Sequence, residues 1–176
     1  RLYGAGADSG TFDYFTEAIV GKAKAIRTDY QPTEDDNVTI KGVAGDTYAM
    51  GFLGYAYYEE NKDKVKAVAI DHGKGCVLPS RETVLDGTYQ PLSRPLFIYV
   101  NVKSLDRPEV QAFVDFYLSP AARRAIRSTG YVELPSEAYR IGQELVKRRK
   151  AGTFFMELPA GTPLSKFIQE LDKELR

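Results

Sequence analysis

Two hydroxyls, a glycine and a carboxylate stand together at Asp8-Ser9-Gly10-Thr11, ahead of an amphipathic run with apolar Phe12, Phe15, Ala18 and Ile19. A short apolar stretch with turn residues, Leu2-Tyr3-Gly4-Ala5-Gly6-Ala7, precedes them. The pattern predicts strand, glycine-bearing loop, helix. The first amides of a helix lack intrahelical acceptors, and the helix dipole adds partial positive charge there. With the Ser9 and Thr11 hydroxyls as donors, such a loop suits a small oxyanion such as phosphate or sulfate. Gly10 lets the backbone come close without a Cβ. The plainer reading makes Ser9 or Asp8 simply the helix N-cap. Asp8 repels an oxyanion unless its carboxylate accepts a hydrogen bond from a protonated oxygen. That acceptor would select hydrogen phosphate over fully ionised sulfate; the alternative is that Asp8 organises the loop. Gly45-Asp46-Thr47 is a possible second loop, with Asp46 a cap first and a ligand second.

Other chemistry is thinly supplied. His72 is the lone histidine, between Asp71 and Gly73, and reads as a solvated turn residue. With one His and one Cys, the usual His/Cys zinc sites cannot be built, so no metal site is expected. No nucleophile-elbow sequence accompanies His72, which leaves a Ser-His-Asp triad without support. Gly4-Ala5-Gly6 lacks the remaining glycine of a dinucleotide fingerprint, and no Lys completes a phosphate-cradling Walker loop, so no cofactor is expected. Asp35-Asp36 and Glu59-Glu60 read as a helix start and a solvated face before they read as cation ligands. Arg123-Arg124, Arg127 and Lys147-Arg148-Arg149-Lys150 read as solvated helix faces, with a docking surface as the alternative.

Composition sets the outer bounds. The 176 residues can bury a proper core, and 43% hydrophobic with 27% charged residues is ordinary globular usage. Lys+Arg and Asp+Glu number 24 each, so formal net charge is zero. Nothing in that balance favours nucleic acid or an anionic membrane as partner, and anion affinity must be local geometry. Twelve Tyr and nine Phe with no Trp point to aromatic packing, such as that of a cleft. Cys76 is the only cysteine, so no intrachain disulfide forms. No apolar run reaches bilayer length and no signal peptide is visible. A sequence that opens at Arg1 without Met is expected to be a mature or truncated chain.

The elements that must position these residues follow in order. The first helix is expected to end near Gly21, a natural left-handed cap. Lys22 to Pro32 reads as connector. Thr33-Glu34-Asp35-Asp36 opens a second helix that carries Val38 and runs to about Gly42. Phe52, Leu53, Tyr55 and Tyr57 read as a short strand, with Gly54 allowing close backbone approach. Val65 to Ile70 reads as a strand, and Ser80 caps a short helix through Leu85. Arg94 to Val102 is the strongest strand pattern in the chain. Asp106-Arg107-Pro108 starts a helix with a core face of Val110, Phe113, Val114, Tyr117 and Leu118. Ser119-Pro120 starts another through Ser128, ended by Gly130. Tyr131 to Leu134 reads as a strand, Ser136 opens a helix to about Lys150, and Thr162-Pro163 opens the last. That last helix carries Leu164, Phe167, Ile168, Leu171 and Leu175 on one stripe. Strands alternating with helices argue an α/β or mixed fold.

The loop and helix Asp8-Ser9-Gly10-Thr11-Phe12-Asp13-Tyr14-Phe15-Thr16-Glu17-Ala18-Ile19 resemble the anion-loop helix of periplasmic phosphate-binding proteins of ABC transporters. Gly42-Val43-Ala44-Gly45-Asp46 and Gly51-Phe52-Leu53-Gly54-Tyr55-Ala56-Tyr57-Tyr58 continue the likeness. So do Val65-Lys66-Ala67-Val68-Ala69-Ile70-Asp71, Pro79-Ser80-Arg81-Glu82-Thr83-Val84 and Gly87-Thr88-Tyr89-Gln90-Pro91-Leu92-Ser93-Arg94-Pro95-Leu96. It runs from the first residue to about Phe155; residues 156–176 carry no motif that can be matched.

The resemblance implies an α/β fold of the type II periplasmic-binding-protein kind. Residues 1–89 would be the second lobe with the anion loop. Residues 90–176 would be the hinge crossing and the returning part of the first lobe, whose N-terminal part is absent. It implies non-catalytic binding of inorganic phosphate for an ABC importer, with hinge closure near Thr88 to Pro95 around the anion. Ser9, Gly10, Thr11 and Asp8 would be the phosphate-binding residues. Membrane subunits of the transporter, and a complementing N-terminal half or self-association, would be the partners. Location would be the periplasm, or the cell surface as a lipoprotein. The family's chain is about twice as long, and many members carry an Arg just before the loop, where this sequence has Gly4, Ala5, Gly6 and Ala7. A guanidinium contact must therefore come from elsewhere, and the chain is expected to hold half of a binding site. Two other uses stay open: a phosphoryl or ester hydrolase with Ser9 or Thr11 as nucleophile, and a partner-binding or sensory role.

Overall fold

A computed structural model describes residues 1–155 and 158–176. β1 (Leu2–Ala5), β2 (Gln31–Thr33) and β3 (Met50–Phe52) form a parallel sheet in the order β2-β1-β3. Tyr3 sits opposite Gln31 on one side and Gly51 on the other. Helices α1 (Gly10–Val20), α2 (Asp36–Ala44) and α3 (Tyr55–Glu60) alternate with the strands. α1 starts at Ser9 and stops at Gly21, which takes the left-handed conformation at φ 78°. It buries Phe12 and Thr16, and its Phe15 ring stacks on Phe52 with centroids 4.1 Å apart. α2 packs across β1 and β3. Close approaches lie at Gly42, against the Tyr3 ring, and at Gly51, where a Cβ would come within 2.9 Å of Thr39 and 3.1 Å of Val43. Gly54 instead caps α3 and meets only the Tyr57 ring.

β4 (Ile70–Asp71) and β5 (Cys76–Val77) make a small antiparallel hairpin. Ser80 and Thr83 form a reciprocal capping box that opens α4 (Arg81–Leu85). After an irregular crossing, a 3-10 helix (Val102–Asp106) leads into α5 (Pro108–Tyr117), α6 (Pro120–Ser128), α7 (Ser136–Lys147) and α8 (Leu164–Lys173). α5 packs on the 3-10 helix and on α6, and α7 packs on α8. Leu105, Val114, Ala122, Ala138, Tyr139, Ile141 and Leu145 are the buried apolar side chains of this helical part among the described residues.

Several strand expectations fail for one reason. Tyr55 and Tyr57 lie in α3, where the Tyr55 hydroxyl donates to Glu59 one turn on (3.0 Å). Of Val65 to Ile70 only Ile70 enters a ladder. Tyr131 to Leu134 forms no strand. Neither does Arg94 to Val102, whose Leu96, Phe97, Ile98 and Tyr99 side chains are exposed. Strand propensity measures fit to a pleated, half-buried surface, and a strand exists only where a neighbour completes its backbone hydrogen bonds. Among the described residues no strand runs beside these segments. Conversely Gln31–Thr33, read as connector, pairs with β1 because β1 offers it a free edge. On α5, Val114 is buried while Phe113 is 61% exposed, so the core face is narrower than the sequence pattern suggests.

Candidate functional site

Strand β1 ends at Ala5 and delivers the loop to the carboxyl edge of the sheet. The chain leaves β1 toward β2 on one side and returns to β3 on the other. This reversal opens a crevice at that edge, the place where open parallel sheets bind ligands. Asp8, Ser9, Gly10 and Thr11 stand there at the start of α1.

The local bonding leaves donors unused. The Ser9 amide donates to the Gly6 carbonyl (3.0 Å), and the Thr11 amide donates to Ser9 Oγ (3.2 Å). Ser9 is therefore the N-cap, yet only an oxygen lone pair is used, and its hydroxyl proton stays free to donate. Among the described residues the Gly10 and Phe12 amides and the Thr11 hydroxyl have no acceptor. Two hydroxyls and two amides at the positive end of an 11-residue helix can hold a tetrahedral oxyanion. Asp8 is exposed, and its carboxylate makes no hydrogen bond or ion pair among the described residues. A loop-organising role for Asp8 has no contact behind it.

The second loop is elsewhere. Gly45 ends α2, and the Asp46 carboxylate accepts from the Tyr48 amide (2.9 Å) and faces Arg1 Nε (3.8 Å). Gly45-Asp46-Thr47 thus precedes β3 at the amino edge of the sheet, while Ser9 follows β1 at the carboxyl edge. Four extended residues separate the two edges by about 10 Å or more. Asp46 is a turn residue, and the two loops do not converge.

Three groups that sequence reasoning passed over border the Ser9 loop. The Glu34 carboxylate lies against Gly6. The Tyr14 hydroxyl donates toward the carbonyls of Pro91 (2.8 Å) and Ser93 (3.0 Å) and accepts from the Gly161 amide (3.0 Å). Burial pushes the Tyr14 phenol above its ordinary range, against the pull of Arg94. Arg94 reaches back from the crossing, its guanidinium 5.1 Å from the Tyr14 ring centre. Its Nη2 would lie 3.2 Å from a Cβ at Gly10. Contacts between residues 10 and 94 leave no periodic trace in a single sequence. The signal available was the missing Arg ahead of the loop.

The remaining candidates resolve into local structure. His72 is exposed in the turn between β4 and β5. Asp35 caps α2 by accepting from the Asn37 amide (2.9 Å), and Glu59 pairs with Lys62 (2.6 Å). Among the described residues no cluster of His, Cys, Asp and Glu could hold a metal ion. The basic runs are largely satisfied: Arg127 pairs with Glu133, Arg149 with Asp106 and Lys150 with Glu174. A cavity of about 1370 Å³ lies between the sheet and the returning helices. Thr11, Tyr14 and Arg94 border it, but most of its wall is apolar, including Phe15, Phe52, Phe97 and Phe155.

Residues 1–121 match the family described as PBP superfamily domain. The chain is similar to Protein SphX of Synechocystis, 51% identical over 172 residues, covering 94% of this chain and 51% of that protein. It is similar to the phosphate-binding protein PstS of Staphylococcus haemolyticus, 36% identical over 142 residues, covering 80% of this chain and 43% of that protein. Among solved structures it resembles a possible phosphate binding protein from Planctomyces limnophilus. There the TM-score is 0.70 at 43% identity, covering 86% of this chain and 54% of the other. The chain spans about half the length of the curated relatives it matches.

Proposed function

The chain belongs to the PBP superfamily, and we propose that it binds inorganic phosphate at the Ser9-Gly10-Thr11 loop. Its fold is of the type II periplasmic-binding-protein kind, a parallel sheet with alternating helices followed by a helical part. The observation that carries the reading is the loop: at the start of α1 stand Gly10 and Phe12 amides and Ser9 and Thr11 hydroxyl protons that find no acceptor among the described residues. The names of the similar proteins support phosphate as the anion. The chain binds and releases without chemistry, as the solute-binding component of an ABC importer on the outer side of the membrane. Residues 1–89 are the second lobe, and 90–176 return to the first. Asp8 accepts a hydrogen bond from the protonated phosphate oxygen. His72 lies exposed in the β4–β5 turn and makes no hydrogen bond to Ser9 or Thr11 among the described residues, so no observation favours the hydrolase reading.

The exposed apolar run at 96–99 and the apolar cavity support a complementing N-terminal half, or self-association, as cover. Titration calorimetry with phosphate and sulfate, paired with a chromogenic phosphate ester assay, tests the reading. Phosphate-selective heat with no ester turnover is expected. Turnover abolished by Ser9→Ala would replace the binding role by the hydrolase.

A further inference from the structure

We infer that Arg94, delivered from the crossing segment, is the guanidinium of the anion site. This rests on the phosphate-binding reading of the Ser9 loop and adds to it a residue from another part of the chain. The motive is an electrostatic mismatch. The Arg94 guanidinium lies against Gly10, the first residue of α1, where the helix already concentrates positive partial charge. Among the described residues Arg94 forms no ion pair and no hydrogen bond. Glu17 lines a second, smaller cavity with Tyr14 and Arg94, but it does not reach Arg94 within the 4.0 Å of an ion pair. Among the described residues no carboxylate reaches the exposed Arg94 guanidinium within ion-pair distance, so an anion at the loop would meet two positive features side by side.

The position of Arg94 is built rather than incidental. Its guanidinium is held at the Tyr14 ring, an orientation that cation–π attraction favours. The Tyr14 hydroxyl holds the carbonyls of Pro91 and Ser93, which flank the approach to Arg94. Helix α1 therefore positions the crossing, and the crossing returns a planar fork of N–H donors to the head of α1. Such a fork matches two oxygens of one phosphate, while the loop amides and hydroxyls take the others. Gly10 leaves room for the guanidinium: a Cβ there would come within 3.2 Å of Nη2, which would have to shift slightly. An anion held this way bridges the loop and the crossing, so occupancy and the geometry of the crossing are linked.

The test uses the native-length protein and inorganic phosphate, comparing wild type, Arg94→Gln, Arg94→Lys and Thr11→Val by calorimetry at low and high salt, with thermal unfolding of each. Loss of a charge-assisted contact predicts about 10- to 100-fold weaker phosphate binding in Arg94→Gln. Partial recovery in Arg94→Lys and a flatter salt dependence in Arg94→Gln should accompany it, with thermal midpoints unchanged. If Arg94→Gln binds like wild type while Thr11→Val does not, the loop reading stands and Arg94 is overturned. If both Arg94 variants lose affinity and melting temperature together, Arg94 is a packing residue, and the inference fails. If wild type gives no phosphate heat, both readings fall.

Discussion

Thr11 stands at the second position of α1 with a hydroxyl that makes no hydrogen bond among the described residues. Replacing it by Val keeps the branched shape and removes one donor. A hydrogen bond to a charged acceptor contributes about 1.5–3 kcal/mol. Thr11→Val should weaken phosphate binding by that amount without lowering thermal stability; unchanged affinity in calorimetry would remove Thr11 from the site. Asp8 is a different case, because its exposed carboxylate helps an anion only by accepting a proton. Asp8→Asn both donates and accepts, so selectivity for phosphate over sulfate should fall. Equal discrimination by the two proteins in a competition assay would shift the acceptor role away from Asp8. Glu34, lying against Gly6, would then be the next carboxylate to substitute.

Two side chains tie the elements of the sheet to those of the helical part. Glu133 accepts from Arg81 at the start of α4 and from Arg127 of α6 (2.8 Å), and its side chain is only 10% exposed. Burial alone would raise the Glu133 pKa. The Arg127 hydrogen bond and the nearby Arg81 charge outweigh it and hold the group below its ordinary value. A carboxylate whose folded pKa is depressed stabilises above its unfolded pKa and loses that contribution as pH falls through the folded value. Below about pH 4.5 the tie should therefore weaken. Glu133→Gln should cost about 1–3 kcal/mol at neutral pH and flatten the acid limb of a stability-versus-pH curve measured by denaturant unfolding. Tyr14 makes the second tie, from α1 to the crossing and to Gly161. Tyr14→Phe strands those partners and should cost about 1–2 kcal/mol. Its phenol pKa is raised by burial, so its contribution is present below about pH 10 and lost as pH rises through the folded value. The wild-type protein should lose stability on the alkaline side more steeply than Tyr14→Phe.

Across the whole molecule, the unfinished feature is the apolar surface around the crossing. Tyr99 is 78% exposed and Leu96 56%, in the most strand-like stretch of the sequence, and the large cavity beside it is lined mainly by apolar groups. Burying apolar area stabilises by about 25 cal/mol per Å², a strong drive toward cover. This chain alone should associate, or bind a hydrophobe-sensitive dye, and should become a dye-silent complex when a complementing N-terminal half is supplied. Light scattering of a dye-silent monomer at high concentration would count against that cover. Tight phosphate binding by the same monomer would make the Ser9 loop a complete site on its own.

The sequence by itself determined the features whose causes are local. A Ser-Gly-Thr cap, the glycine stop at Gly21, the Ser80 cap and the Ser119-Pro120 start each depend on residues a turn apart, and each forms as read. The strand at β1 and the alternation into α/β were legible because hydrophobic period and turn residues lie along the chain, whereas the strand read over Phe52 to Tyr57 shares only Phe52 with β3. Only the tertiary structure decided which strand-like segments pair. Arg94 to Val102 has the propensity but no neighbouring strand among the described residues, while Gln31–Thr33, with a proline in it, has a neighbour and pairs. It also separated Asp46 from Ser9, by putting their loops at opposite edges of one sheet. And it brought Arg94 to Gly10 across 84 residues, through a hydroxyl on Tyr14 that holds two carbonyls of the crossing. Contacts of that kind depend on how elements dock, and docking is set by packing across the whole fold rather than by any window of the chain.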